Sequence, residues 1–308
     1  MYLVKVPAGL SGFFAPHITS ELATTGAIGG GIVLDEGVLV ELDVVSSTSE
    51  EALVENYING CRVESCIANY VATKILREAG LDSHRVIVKQ LVKVPIGGGY
   101  GTSAASALAI SIALAKALRI RRTLKWVAEV AHEADIVCKT GLGTVVGILN
   151  QGYGIVIVKK PGGPFYTEVE HILLDNSITA FTAFYKPISK TELLSQHDLL
   201  ASARRVGLST LKKIFRDPCP ENFMKSCLEF SLKTGLLQGE LRNIVLNVNR
   251  LRGVIGASMN MIGEGLYGLV EKEYLDQVIE YVKSTAPSWI YSWRPAKCLE
   301  IYVRQGMQ

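Results

Sequence analysis

Pro95-Ile-Gly-Gly-Gly-Tyr-Gly-Thr-Ser-Ala-Ala105 decides how this chain folds. It stands between an alternating apolar segment, His84–Val94, and an alanine- and leucine-rich segment, Ser103–Leu118. The spacing predicts a strand before it and a helix after it. Gly97, Gly98, Gly99 and Gly101 let the backbone fold back and turn several N–H groups to one side. The helix adds its own unpaired N–H groups and the positive end of its dipole. Thr102, Ser103 and Ser106 bring hydroxyls to the same place. Pro95, Gly97, Gly98, Gly99, Tyr100, Gly101, Thr102, Ser103 and Ala104 thus read as a phosphate cradle. A turn that binds nothing would need fewer glycines and hydroxyls. A Walker A loop fails because no lysine precedes Thr102. A dinucleotide fingerprint fails because Thr102 stands where its last glycine belongs.

Working outward, Tyr2–Val6 reads as a strand. Gly26–Leu34 and Val38–Val45 read as two more, joined by an Asp35-Glu36-Gly37 turn. A helical pattern starts at Ser47–Glu51 and runs, with breaks, to Glu78, where Gly80 ends it. After the cradle helix come a helix capped by Thr123 and reaching Val137, a turn at Thr140–Gly143, the apolar Val145–Leu149 and a strand, Tyr153–Val158. Lys160-Pro-Gly-Gly-Pro164 continues no element, so the chain divides there into lobes of residues 1–160 and 161–308. The second half reads as a strand (Ile178–Tyr185) and helices over Thr191–Phe215, Pro220–Thr234 and Gly239–Leu251. Strands follow at Val254–Met261 and Gly265–Val270, then a helix, Lys272–Lys283, and strands at Trp289–Trp293 and Leu299–Val303. That order predicts an antiparallel sheet with helices on one face, and an α+β class.

At 308 residues, 48% apolar and 20% charged, the chain can build full cores without staples. A net charge of +3 gives no basic stripe for nucleic acid. Six scattered cysteines without C-x-x-C spacing read as mostly buried, reduced thiols. The first sixteen residues carry one lysine and no long apolar run, unlike a signal peptide, and no segment is apolar enough to span a membrane. A cytoplasmic, soluble protein is expected, with a homodimer as the default assembly.

The cradle resembles the phosphate loop of the GHMP kinases, P-x-x-x-G-L-G-S-S-A-A, from which Tyr100 and Thr102 depart. Val4-Lys-Val-Pro-Ala8 is similar to that superfamily's first motif, and Gly253–Gly268 is loosely similar to its third. Pro7–Thr19, Thr25–Gly31, Ala131–Gly147, Lys160–Pro164 and Pro220–Phe223 resemble the archaeal pantoate kinase family. The resemblance implies a two-lobed GHMP kinase fold, its N-terminal lobe like domain 2 of ribosomal protein S5 and its C-terminal lobe ferredoxin-like. It implies ATP and Mg²⁺ as cofactors, and pantoate as the acceptor, phosphorylated on its primary hydroxyl on the way to coenzyme A.

The same resemblance gives Mg²⁺ two protein ligands, Ser103 and Glu133. Taken alone, Glu133 reads as a solvated helix residue like Glu129 or Asp135. Mevalonate-type members place an aspartate base eleven residues after that glutamate. Here the position is Thr144, which takes up no proton at neutral pH. Homoserine kinases also lack the aspartate. Thr144 then orients the acceptor hydroxyl or is neutral. Lys139 either neutralises charge on the γ-phosphate or is solvated. For a small branched anion, Phe13, Phe14 and Ile18 offer walls, and Ser11, His17 and Thr19 offer hydrogen bonds. Arg204, or its neighbour Arg205, is the candidate for the carboxylate, against the alternative that both are solvated. A homoserine- or shikimate-type kinase and a non-catalytic nucleotide or metabolite binder stay open as alternatives.

Overall fold

β1 (Tyr2–His17) and β2 (Gly26–Val45) are long antiparallel partners that carry the first sheet. The computed structural model describes residues 2–46, 53–81, 84–152, 154–187, 197–295 and 302–305. β2 is long enough to serve two neighbours. Gly29–Ile32 pair with β6 (Ile155–Lys160), and Val38–Val45 pair with β5 (Arg85–Val92). The expected hairpin turn at 35–37 is instead a bulge inside β2, because β1 runs opposite both halves. Pairing passes from Pro7–Gly37 to Gly9–Val33. Glu36 in the bulge is held by Lys5 and Lys93 at 3.4 and 3.5 Å.

The helical pattern before Glu78 is also corrected. β3 (Leu53–Ile58) pairs in parallel with β5, and a two-residue β4 (Cys61–Arg62) turns back on it. Asn59-Gly60, both at positive φ, makes this hairpin. The start expected at Ser47–Glu51 lies outside the described residues. Helix α1 (Cys66–Ala79) begins only after Ser65, whose side chain accepts from Ala68 N, and Gly80 ends it in the left-handed region.

α1, α2 (Thr102–Ala117) and α3 (Leu124–Val137) cover one face of the first sheet and enclose one apolar core. α2 is buried continuously from Ala104 to Ala115, which explains its unbroken alanine and leucine composition. The short apolar segment after the 140–143 turn is a helix, α4 (Thr144–Leu149). β7 (Glu168–Ile172) pairs with β6, and β12 (Tyr302–Gln305) returns to β1.

The second sheet is antiparallel, in the order β11 (Trp289–Trp293), β8 (Ile178–Lys186), β10 (Glu264–Glu271), β9 (Val254–Met259). Taken in chain order this is fourth-first-third-second, the ferredoxin-like arrangement. Its helices are α5 (His197–Arg216), α6 (Pro220–Lys233), α7 (Gly239–Val248) and α8 (Leu275–Ser284). The lobes share an apolar core. Phe13 of β1 meets Phe223 and Phe230 of α6 edge-on at 6.4 and 6.3 Å. The Pro220–Phe223 motif therefore joins the lobes.

The cysteines depart from expectation. Cys66 and Cys138 form a disulfide across 72 residues, and Cys61 is exposed. Cys227 is the described cysteine that is buried and reduced, and burial pushes its thiol up to about 12. Chain-entropy arithmetic for a loop this long gives about 4 kcal/mol of stabilisation. Thermal or urea unfolding with and without reductant checks this, and Cys66→Ser should match the reduced protein.

Candidate active site

The cradle links β5 to α2, and Gly101 caps α2 in the left-handed region at φ 62°. Gly99 has φ 80°, and a Cβ there would stand 2.5 Å from the Met261 carbonyl oxygen. The second lobe presses up from below. Buried Asn260 donates from Nδ2 to the Gly98 carbonyl at 2.6 Å. The loose third motif is thus the floor of the loop. The Tyr100 side chain turns into the second lobe. Its ring is buried edge-on to Trp289 at 5.4 Å, and its hydroxyl pairs with Thr182 at 2.9 Å. Its carbonyl accepts from Gly9 N at 3.0 Å, so Tyr100 ties the loop to β1 and to the second sheet.

Beside the loop lies a solvent-open cleft. β1 contributes Gly9–Ser11, Phe13 and Phe14; β2 contributes Ala27–Val33; Gly99 and Gly101 come from the loop; Thr140–Thr144 close one side. The walls are mostly apolar, with Ser11, Thr140 and Thr144 offering hydroxyls. This suits a small branched molecule with a few polar groups. Thr144 sits between β1 and the loop, its Cγ2 2.5 Å from where a Cβ on Gly101 would be.

The 140–144 wall hangs from the end of α3. Asp135, 1% exposed, accepts from Thr140 Oγ1 at 2.6 Å on Oδ1. Its carbonyl accepts from the backbone N–H of Thr140 and Gly141. Gly141 admits no side chain, since a Cβ would lie 2.2 Å from Asp135 Oδ2. Two residues along a helix are about 200° apart, so Glu133 faces the other way. Its carboxylate is ion-paired with Lys74 of α1 and accepts from the Tyr70 hydroxyl at 3.0 Å. Glu129 and Asp135 are buried, not the solvated residues their spacing suggested. Burial raises the Glu129 carboxyl above its ordinary range. Burial also lowers His132, so the neutral ring donates from Nε2 to the Thr25 carbonyl at 2.9 Å and ties α3 to the start of β2.

Comparison with known proteins gives the family. Residues 65–152, which span the loop, α3 and the wall, match the N-terminal domain of the GHMP kinases. A pantoate kinase of Thermococcus kodakarensis is 32% identical over 273 residues, covering 87% of each chain. The chain belongs to the pantoate kinase family of GHMP kinases. A family member from Methanocaldococcus jannaschii is 28% identical over 92% of this chain and 98% of its own. A solved phosphotransferase related to the coenzyme A biosynthesis pathway superposes with a TM-score of 0.86 at 28% identity, covering 99% of both chains. The α+β, two-lobed GHMP kinase fold is therefore the fold of this protein.

The structure gathers only part of the set drawn from the sequence. Gly99, Gly101, Ser11 and Thr144 meet at the cleft. Ser103 lies half-buried in the first turn of α2. Lys139 is exposed at φ 54°, where the wall begins. Arg204 and Arg205 are exposed on α5 and neither lines the cleft. Thr19 spends its hydroxyl on Thr24 at 2.7 Å and on Thr25, so it shapes a turn. His17 pairs with Gly26 at the end of β1, outside the cleft lining, and Ile18 is 63% exposed. Asp135 and Gly141 were missed as organisers of the wall. Their signal was available in the helical phase of Glu133 against Asp135.

Proposed function

We propose that this protein transfers the γ-phosphoryl group of ATP to the primary hydroxyl of pantoate, forming 4-phosphopantoate for coenzyme A synthesis. Membership of the pantoate kinase family supports this. The single observation that carries it is the shared border of loop and cleft. Gly99 and Gly101 belong to both and Thr144 abuts Gly101 from the wall, so an acceptor in the cleft lies against phosphates in the loop. ADP release with Mg-ATP should appear with pantoate and not with homoserine, shikimate or mevalonate. Phosphorus NMR should show a monoester on the primary hydroxyl. Turnover on another of these acceptors would reject pantoate while keeping the chemistry.

Backbone N–H groups of residues 97–104 and the α2 N-terminus hold the nucleotide phosphates in this reading. Mg²⁺, when bound, neutralises charge on the β- and γ-phosphates. It prefers hard oxygen ligands, few of them from protein, and the site offers a hydroxyl and carboxylates. Ser103 supplies the hydroxyl. Of the two α3 carboxylates we assign Glu133, whose part-exposed partner Lys74 a divalent cation can displace; Asp135, 1% exposed, stays behind the wall as its anchor. We assign Lys139, exposed where the wall begins, to meet γ-phosphate charge.

No carboxylate lines the cleft among the described residues. A loose transition state needs alignment and charge stabilisation more than a base. We assign Thr144 to hold the acceptor hydroxyl, with its proton passing to a γ-phosphate oxygen. Thr144→Val should then lower kcat by roughly tenfold with an unchanged ATP KM, a loss of one hydrogen bond's size. Intact turnover in that variant would remove Thr144 from the mechanism. β7 still pairs in the first sheet and β12 returns to it, so we place the lobe division after β7, near residues 173–177, not at 160–164; we place the enzyme in the cytoplasm as a homodimer. Light scattering checks the assembly. Among the described residues no helix is long and apolar enough to cross a membrane.

A further inference from the structure

The Cys66–Cys138 disulfide stands at the root of the cleft wall. Cys66 is the first residue of α1, and Cys138 caps α3. From Cys138 the chain passes directly to Lys139, in the left-handed region, and then to Thr140 and Gly141 on the wall. Cys66, Tyr70 and Lys74 are spaced at i, i+4 and i+8, one stripe along α1. That stripe meets α3 at Cys138 and Glu133. Without the covalent bond, α1 keeps its grip on α3 through their shared apolar core and, at this end, through the Tyr70 and Lys74 contacts to Glu133. Lys74 is 39% exposed, and a pair so placed contributes little.

The bond is open to attack. Cys66 is exposed and Cys138 half-buried, so a thiol in solution reaches the sulfurs. A thiolate at Cys66 would sit at the N-terminus of a 14-residue helix, where the dipole and free N–H groups stabilise it. That makes Cys66 the better leaving group when a thiol attacks Cys138 Sγ. A second thiol then resolves the mixed disulfide. Two external thiols become one disulfide, and the protein disulfide gains two electrons and two protons as two thiols.

We propose that Cys66–Cys138 is a thiol–disulfide exchange site for thiol reductants, and that its state sets the affinity of the cleft for the acceptor. The oxidised bond fixes the end of α3 on α1 and with it the 139–144 wall; reduction leaves the wall to its Asp135 ties and loosens it. This rests on the cleft being the acceptor site. Coupling is reciprocal, so a bound acceptor should also slow reduction of the bond.

The test uses the full chain, oxidised or treated with dithiothreitol, with thiols counted in denaturant. Reduction should release two further thiols. It should raise the pantoate KM about fivefold or more, the low end of ordinary coupling, with the ATP KM unchanged. Amide hydrogen exchange over residues 139–144 should quicken. The double variant C66S/C138S should show the raised KM with or without reductant. An unchanged thiol count overturns the proposal. So does a gain of two thiols with the same pantoate KM and the same exchange, which would leave a purely structural bond. If no acceptor is turned over, the kinase reading fails on its own; the thiol count and the exchange still decide whether the bond controls the wall.

Discussion

Glu133→Gln should lower kcat about a hundredfold or more, the several kcal/mol that a metal-held phosphate charge is worth. The variant should also need more Mg²⁺ for half-maximal rate. Lys74, the counter-ion of Glu133, is 39% exposed, so a divalent cation displaces its ammonium at small cost. Glutamine still accepts from the Tyr70 hydroxyl, so α1 keeps that tie to α3. Asp135 differs in its surroundings. It is 1% exposed and holds Thr140 from behind the wall. Asparagine still accepts from that hydroxyl, so Asp135→Asn should lower kcat by less than about tenfold. The reverse order of effects would move the ligand role to Asp135 and require the wall to open when Mg-ATP binds.

Gly99→Ala should weaken ATP binding and stability together. The backbone at φ 80° disfavours any side chain, and a Cβ would meet the Met261 carbonyl at 2.5 Å, a backbone atom that cannot turn away. Strain of this kind costs about 1–3 kcal/mol, or roughly 5- to 150-fold in affinity if the loop yields. Isothermal titration with a non-hydrolysable ATP analogue and a melting curve separate the two effects. The pantoate KM, extrapolated to saturating ATP, should change little. A variant that binds ATP as tightly as the parent would show that the third motif is not the floor the loop needs.

Much of the site was legible as sequence because it is built locally. Glycines, hydroxyls and the start of α2 sit within eleven consecutive residues, and their chemistry needs no distant partner. The same holds for the 140–143 turn and for the helix capped by Thr123. The Asn59-Gly60 hairpin was equally local, yet it was hidden by the apolar spacing around it. Residues 53–58 form a strand because β5 lies alongside, and pairing outweighs a helical pattern.

Other assignments depended on direction. His17, Thr19 and Arg204 belong to motifs or residue types that suit an anionic acceptor; strand pairing sets His17 at the end of β1, a threonine knot engages Thr19, and Arg204 is exposed on α5. Glu133 and Asp135 show the same division within three residues. Both are carboxylates on α3, and only their phase against α1 and the wall tells them apart.

The sequence by itself determined the fold class and marked a phosphate-binding loop, and the resemblance of its motifs to the GHMP kinases carried the kinase chemistry. The loop rests on short-range geometry: strand–glycine turn–helix, with donors converging on one anion. Only the tertiary structure decided what surrounds that anion. It brought Asn260 under the loop, Thr144 to its edge, and Cys66 to Cys138 across 72 residues. Such contacts follow from how sheets and helices pack, and no local pattern encodes which distant side chain arrives.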